Sequence, residues 1–350
     1  MSEQVNPEQV SLPAAEAQGP RALLVSSAPH LAVGRTTQGV MFDVVLAMIP
    51  LFGMGIYLYR ERAIMLAAMT VAACLITEAV FNAVRRRPMS SLFDGSAIVT
   101  GMILAFSLPP SLRLYQAFIG GVVAIGLAKM IFGGLGQNLF NPAMVGRAFL
   151  MVCFPVALTT WTEPAPIRPG MPQVGTADAV TQATPLAAYK FQSVPEDKRS
   201  DTKDLFVGKV SGCMGESSAL LAIIGGLYLL IRRTADWRQP LAMLAAAAIF
   251  AAIAHAANPE KYAPVLYHLN SGALMFGAFF IATDYVGAPL TPIGRLIFGI
   301  GTGILVMLIR LFGGYPEGVM YAILIMNALT PLIERWTVPT PFGGHVPAEA

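Results

Sequence analysis

Apolar runs recur along almost the whole of this 350-residue sequence, and several approach the roughly 20 residues that a helix needs to cross a bilayer core. Hydrophobic residues make up 55% of the chain and charged residues only 12%, against about 25% charged residues in soluble domains. Such runs are too many and too long for the core of one soluble domain. The sequence therefore predicts an all-α integral membrane protein.

Charged residues and Gly/Pro clusters divide these runs into about ten predicted transmembrane helices. Their predicted starts lie near Val40, Ala63, Leu92, Leu114, Met144, Ala219, Leu241, Gly272, Ile293 and Val319. With a cytoplasmic N-terminus, the short inner loops receive the arginines at 85–87, 232, 233, 238 and 295, whereas the short outer loops receive only those at 60, 62 and 113. The positive-inside rule therefore predicts that both termini are cytoplasmic, which requires an even number of helices.

The two halves of the sequence carry similar segments. Residues 94–134 begin with DGSAIVTG and end with IFGG, while residues 270–314 begin with NSGALMFG and end with LFGG. Five helices in each half would give the halves opposite orientations, so we predict two inverted repeats of five. The short Gly-rich spans after Asp94 and Ser271 are predicted to be broken or re-entrant helices. The alternative is that these residues only cap ordinary helices.

This order of helices divides the chain into five segments. Residues 1–35 are polar and rich in Pro, Ala and Glu, without the features of a signal peptide, which predicts a disordered cytoplasmic tail. The first membrane half is predicted at 36–160, a long polar external loop at 161–216, the second membrane half at 217–336 and a cytoplasmic tail at 337–350. A loop of this length can be translocated whatever its charge.

The external loop contains the string DAVTQATPL, which begins at Asp178. On its own it is a polar segment with two hydroxyls and a carboxylate. It resembles, however, the D-x-x-(S/T)-x-A-T pattern on which a flavin transferase of the outer compartment links FMN by a phosphoester. The resemblance implies covalent FMN on Thr184, with Asp178, Thr181 and Ala183 at the earlier positions. Gln182 stands where such proteins usually have Gly, but this departure removes no reacting group.

Four further strings carry a wider resemblance. They are GGLGQNLFNPA, FIATDY, FGGYPEG and MNALTPL, which begin at Gly133, Phe280, Phe312 and Met326. Together they resemble the family of membrane subunits that contains the D subunit of the Rnf electron-transport complex. The B subunit of the sodium-pumping NADH:quinone reductase has similar motifs and is the nearest alternative. The resemblance extends from about residue 34 to residue 335.

The resemblance implies a redox subunit of a six-subunit complex in the bacterial inner membrane. Such a complex moves electrons between reduced ferredoxin and NAD while it pumps Na⁺ or H⁺. The implied partners are the other Rnf subunits (A, B, C, E and G) and a flavin transferase, and the flavin loop would be periplasmic. The implied fold resembles that of urea and ammonium channels. Neither a Gly-rich nucleotide fingerprint nor an iron–sulfur cysteine set occurs, so we expect no complete active site on this chain alone.

Polar residues within predicted spans are a second place to look for function, because a charge in lipid is costly. They are Asp43, Glu78, Asp94, Lys129, Arg147 and Asp284. Asp284 and Asp94 are candidates for ion coupling, and the alternative for each is a helix cap. Lys129 and Arg147 are predicted to extend to the inner membrane surface. Cysteines and histidines lack metal-ligand spacing, so no metal site is predicted, and a net charge of +3 requires no nucleic acid.

Asn138 and Asn141 lie three residues apart, so in a helix they would share one face. Side-chain amides suit the hydrogen-bonding edge of a flavin ring, and the resemblance implies a non-covalent riboflavin site here. The alternative is a simple helix start, with Asn141 as N-cap and Pro142 in the first turn. Two other functions remain open: a small-solute channel or transporter, and a scaffold whose flavin motif is vestigial. A channel has no use for the DAVTQATPL string.

Overall fold

A computed structural model describes residues 36–161, 184–191, 202–208, 210, 212–259 and 261–339. They all belong to one compact unit, Thr36–Ala350. Every regular element within these ranges is a helix, which confirms the all-α prediction. Asp178, Thr181 and Ala183 of the flavin-like string lie outside the described residues.

The helices follow the predicted apolar runs closely. Up to residue 161 they are α1 (Thr37–Tyr59), α2 (Glu61–Val84), α3 (Ser96–Ser107), α4 (Leu114–Ile125), α5 (Pro142–Cys153) and α6 (Pro155–Thr159), with a 3-10 turn at Met89–Asp94 and a π-helical turn, Gly126–Met130, that continues α4. From residue 184 onward they are α7 (Pro185–Phe191), α8 (Thr202–Val207), α9 (Ala219–Ile231), α10 (Arg238–Ala257), α11 (Val265–Asn270), α12 (Leu274–Phe276), α13 (Pro292–Phe312) and α14 (Val319–Trp336), with a 3-10 turn at Met214–Glu216 and a π-helical turn, Gly277–Ile281, that continues α12. The predicted starts at Leu114, Ala219 and Val319 coincide with the observed ones.

Four of the described helices, α1, α2, α10 and α13, are long and apolar enough to cross a membrane. Shorter apolar helices of 10–17 residues are α3, α4 with its π-helical turn, α5 and α9. Large apolar side chains on the outer surface of the long helices, such as Phe42, Ile76 and Ile253, are more than half exposed. An apolar exterior of this kind is suited to lipid, so the chain is a multi-pass membrane protein.

Local capping explains where several helices begin. The hydroxyl oxygen of Thr36 accepts from the backbone N–H of Gly39 at 3.2 Å, and that of Ser218 accepts from Leu221 N–H at 3.3 Å. Thr291 caps α13 in the same way, and a proline follows it in the first turn. These side chains satisfy backbone donors that would otherwise be unpaired at the helix N-terminus.

Small residues let the principal helix pairs approach closely. α13 packs along α10, while α2 packs against α3 and α4. On α13, a Cβ added to Gly299 would lie 2.6 Å from the carbonyl oxygen of Gln239 on α10. A Cβ on Gly121 of α4 would lie 2.7 Å from the Cβ of Ala73 on α2. Larger side chains at these two glycines would force the helices apart, as at other close contacts between membrane helices.

Candidate functional site

One cavity is enclosed by the starts of α1, α3 and α5, the π-helical turn after α4, and the segment that follows Ile281. Its apolar walls include Val44, Ile103 and Phe280. Its polar lining includes Ser96, Lys129, Asn138, Asn141 and Asp284. The cavity thus brings together three residues selected from the sequence. Asn138 and Asn141 are neighbours in the chain, and Asp284 follows Asn141 by 143 residues.

Asn141 has two structural partners in this cavity. Its amide oxygen accepts from the backbone N–H of Met144 at 3.2 Å, which makes it the N-cap of α5 with Pro142 in the first turn. Its amide nitrogen donates to Asp284 Oδ2 at 3.2 Å. Asp284 Oδ1 accepts from the backbone N–H of Val286 at 3.2 Å. Asn141 therefore starts a helix and also ties the two halves of the chain together at the cavity.

Asp94 and Asp284 occupy different environments. Asp94 Oδ1 accepts from both the backbone N–H and the hydroxyl of Ser96, at 2.7 Å and 2.5 Å. Ser96 lines the cavity and Asp94 does not. The structure therefore places only Asp284 at the cavity wall, and Asp94 contacts the cavity through Ser96.

The prediction that Lys129 extends to the membrane surface is wrong. Its ammonium group donates to Glu78 at 2.8 Å and to the hydroxyl of Ser96 at 2.6 Å, and the Lys129 and Glu78 side chains are only 2% and 1% exposed. A carboxylate partner in the interior removes the need to reach water, since the high cost of burial falls on unpaired charges. Asp94, Ser96, Lys129 and Glu78 consequently form one hydrogen-bonded chain beside the cavity.

The same prediction is wrong for Arg147, which is only 7% exposed. Glu216 and Glu317 are both close enough to interact electrostatically with its guanidinium. These two acids were not selected from the sequence, because Glu216 lies in the predicted loop and Glu317 in a short turn between spans. Arg310 was also missed. It is buried at the end of α13 and donates to Glu317 at 3.1 Å.

Thr184 is the one residue of the flavin-like string whose predicted role involves a covalent bond, and it is described. Its side chain is 3% exposed, and its hydroxyl oxygen accepts from the backbone N–H of Ala187 at 3.2 Å. The next residue, Pro185, accepts a hydrogen bond on its carbonyl from the Tyr267 hydroxyl at 3.0 Å. Thr184 therefore caps α7 at its N-terminus, and Tyr267 fastens α7 to α11.

Lys190 fastens the other end of α7. Its ammonium group donates to the carbonyl oxygens of Ile309, Gly313 and Tyr315, at 3.3, 2.5 and 3.2 Å. Two of these carbonyls lie at the C-terminal end of α13, where a cation is favourable. Burial lowers the pKa of Lys190.

A second cavity lies beside α7. Cationic and aromatic side chains line it, namely Lys190, Lys261, His268, Arg310, Tyr189 and Tyr262. Cations suit a phosphate, and tyrosine rings suit a flat aromatic group. Within the described parts of the chain, no group of three or more His, Cys, Asp and Glu side chains is arranged to hold a metal ion.

Known proteins resemble this chain over nearly its full length. The model of the NQR2, RnfD, RnfE family matches residues 24–343. The D subunit of the proton-translocating ferredoxin:NAD⁺ oxidoreductase complex of Clostridium ljungdahlii is 39% identical, over 91% of this chain and 96% of its own length. The D subunit of the Na⁺-translocating ferredoxin:NAD⁺ oxidoreductase complex of Acetobacterium woodii is 42% identical, over 92% and 95%.

A third relative extends the range of organisms. The D subunit of the ion-translocating oxidoreductase complex of Halorhodospira halophila is 40% identical, over 90% of this chain and 94% of its own length. The family match covers both helical halves and the loop between them, and thus includes Thr184, Asn138, Asn141 and Asp284. The chain therefore belongs to the NQR2, RnfD, RnfE family.

Proposed function

We propose that this chain is the D subunit of an ion-translocating ferredoxin:NAD⁺ oxidoreductase complex and relays electrons through flavin. The observation that carries the proposal is the full-length similarity to D subunits from three organisms, combined with a multi-pass membrane fold. All three relatives bear the name of the D subunit, which favours this assignment over the B subunit of a sodium-pumping NADH:quinone reductase.

Thr184 is the proposed site of covalent FMN, with Asp178, Thr181 and Ala183 completing the recognition string. A threonine hydroxyl is the acceptor that a phosphoester needs. The cationic Lys261, in the cavity beside α7, suits the phosphate of such a group. When bound, FMN supplies the one- and two-electron chemistry, and the protein supplies its position.

Thr184 needs to turn outward before it can carry this group. At 3% exposure its hydroxyl oxygen is enclosed at the start of α7. A transferase requires access to that oxygen, so the first turn of α7 is expected to loosen during modification. The contacts made by Lys190 at the other end then hold the remainder of the helix.

The cavity at Asn138 and Asn141 is the proposed place for a second flavin, riboflavin. Phe280 and other apolar side chains supply walls for a ring, and the two asparagines and Ser96 supply polar groups for its edge. Asn141 already serves α5 and Asp284, so Asn138 is the amide better placed to serve the ring. These residues would bind and orient the ring and exclude water from it.

Ten membrane-spanning segments in two inverted repeats of five are proposed, with a fold like that of urea and ammonium channels. Helix packing supports the repeat. α2 packs against α4 as α10 packs against α13, and α4 packs against α5 as α13 packs against α14. The arginine distribution supports cytoplasmic termini and a periplasmic flavin loop in the bacterial inner membrane.

Asp284 is the proposed ion-coupling residue at the cavity, and Asp94 contributes through Ser96 and Lys129. A carboxylate at membrane depth suits Na⁺ and also takes up a proton. The proposed partners are the other five Rnf subunits, together with the flavin transferase that modifies Thr184. The rival function, a small-solute channel, fits the repeat equally well but leaves the flavin-like string unexplained.

Deleting the gene for this chain from its native cells and assaying their membranes tests the proposal. Reduction of NAD⁺ by reduced ferredoxin should be lost from the membranes, and the wild-type chain supplied from a plasmid should restore it together with the ion gradient. Undiminished ferredoxin-dependent NAD⁺ reduction in the deletion strain would contradict the proposal.

A further inference from the structure

Four charged side chains from separate segments meet in the interior, and we refer to Arg147, Glu216, Arg310 and Glu317 as the buried cluster. Arg147 belongs to α5, Glu216 to the turn before α9, Arg310 to α13 and Glu317 to the turn before α14. Arg147 and Glu216 are each 7% exposed and Arg310 is 2% exposed. Arg147 interacts electrostatically with both acids, and Glu317 accepts from Arg310 at 3.1 Å.

Each member of the buried cluster has a buried polar atom without a hydrogen-bond partner among the described residues. These atoms are Arg147 Nε, Glu216 Oε1, Arg310 Nε and Glu317 Oε2. Buried polar atoms in native proteins are almost always satisfied, by protein groups or by bound water or ions. Four such atoms in one cluster indicate that it encloses a further polar component.

The turn that carries Glu216 is closely packed against its neighbours. A Cβ added to Gly215 would lie 2.9 Å from the Phe276 ring and 3.1 Å from the carbonyl oxygen of Phe106. The thiol of Cys213 donates to the carbonyl of Ser107 at 3.0 Å. The backbone of the turn that carries Glu216 is therefore closely packed against α3 and α12.

The chemistry of the unpaired atoms identifies the missing component. Two of them are guanidinium N–H donors, which need an acceptor and cannot be satisfied by a resident Na⁺. Water molecules can satisfy the same four atoms without adding charge. We propose that the buried cluster encloses bound water and that Glu216 takes up and releases a proton there.

Glu216 is better suited to this role than Glu317. Glu317 Oε1 is fixed by two donors, Arg310 at 3.1 Å and the backbone N–H of Ala273 at 3.2 Å. The side chain of Glu216 has only two neutral groups of Cys213, the backbone N–H and the thiol, as hydrogen-bond partners among the described residues. The thiol is a weak donor that also donates to Ser107, and none of the described charged groups donates to Glu216. In the exchange, a carboxylate oxygen of Glu216 gains a proton from a hydronium ion of the enclosed water, leaving a neutral carboxylic acid and a water molecule.

Other titratable groups around Glu216 are few among the residues that the structure describes. Tyr59 of α1, Arg147 of α5, Glu317 and its own neighbour Cys213 are those that interact with it. α3 and α12 also pack against this turn, and neither carries a charged residue. Protonation of Glu216 would thus change the net charge of this small group of residues.

Glu317 of the cluster and Leu186 of α7 both lie close to Gly272. Gly272 has a φ of 67°, and a Cβ there would collide with Glu317 on one side and approach Leu186 of α7 to 2.9 Å on the other. Any coupling of proton exchange at Glu216 to the reduction of a flavin on Thr184 rests on the proposed function. The proton site itself does not.

Infrared difference spectroscopy of the purified full-length protein tests the site without any electron transfer. A shift from mildly alkaline to mildly acidic buffer should produce a protonated-carboxyl band that moves in D₂O. The band should disappear in Glu216→Gln and shift in Glu216→Asp. It should persist in the matched control Glu61→Gln, because Glu61 is exposed at the start of α2.

Absence of the band from the wild-type protein would overturn the proposal. A band that neither Glu216→Gln nor Glu216→Asp changes would also overturn it, as would a band that Na⁺ abolishes at constant pH when K⁺ does not. The wild-type spectrum shows whether any buried carboxyl exchanges a proton. Glu216→Asp, which keeps a carboxylate, then decides whether Glu216 holds that proton even if Glu216→Gln fails to fold.

Discussion

The hydroxyl oxygen of Thr184 accepts a hydrogen bond from the backbone N–H of Ala187 at 3.2 Å, in a side chain that is only 3% exposed. The proposed acceptor of FMN thus also serves as the N-cap of α7. Because an enclosed oxygen cannot reach a transferase, access to Thr184 depends on how firmly α7 is held against the rest of the protein. Lys190 and Tyr267 make the contacts that hold it.

Loosening α7 should accelerate its modification. Lys190→Met removes three hydrogen bonds to carbonyl oxygens, and hydrogen bonds from a charged group contribute about 1.5–3 kcal/mol. We expect the labelling rate of purified, unmodified protein by a flavin transferase and its flavin donor to rise about tenfold. Lys203→Met on α8 is the control, because Lys203 is exposed. Equal rates in the wild type and both variants would show that α7 does not limit access.

Removing one partner of the buried Lys129–Glu78 pair should destabilise the protein much more than removing both partners. Lys129→Met leaves the Glu78 carboxylate without its cation at 1% exposure, which should lower stability by about 3–5 kcal/mol. The double variant Lys129→Met/Glu78→Leu should recover most of the loss. Thermal unfolding of the purified proteins in detergent measures both effects, and a double variant no more stable than Lys129→Met would refute the pairing argument.

The role of Asp284 can be separated from that of a helix cap. Asp284→Asn keeps an oxygen that can accept from Asn141 or Val286, so the local structure should survive. If Asp284 couples ions, the assembled complex should retain much of its uncoupled ferredoxin:NAD⁺ electron transfer while forming a smaller ion gradient per electron. An unchanged gradient per electron in a well-assembled variant would remove Asp284 from the coupling residues.

Reporter fusions test the orientation of the helices. Fusions after Arg87 and Arg238 should report a cytoplasmic location, because the arginine clusters of the inner loops end at these residues. A fusion after Glu196 should report an external location. The reverse pattern would overturn both the orientation and the periplasmic placement of Thr184.

Local signals in the sequence predict much of the helical framework. Asn141 and Pro142 mark the start of α5, and the apolar runs place the starts of α9 and α14 correctly. These features depend on residues close together in the chain. The sequence also predicts that Asn138 and Asn141 share one site, but it gives no sign of the contact between Asn141 and Asp284.

Long-range pairing explains what sequence reasoning missed. Sequence reasoning places Lys129 at the membrane surface because the local sequence does not reveal its partner. That partner, Glu78, lies 51 residues away on another helix. The same applies to Arg147, since its acidic neighbours come from two distant turns. Cys213 lies near a loop end in the sequence, yet it is fully buried against Ser107. Each burial requires a partner that only the tertiary fold supplies.

Covalent flavin on Thr184 is the central claim, and in-gel flavin fluorescence of the denatured subunit tests it most directly. Fluorescence should be present in the wild type, vanish in Thr184→Val and persist in Thr181→Ser, which keeps the recognition string intact. Mass spectrometry of the tryptic peptide that contains both threonines should find the added mass of FMN on Thr184 alone. Fluorescence that persists in Thr184→Val, or a wild-type peptide without the added mass, would contradict the account.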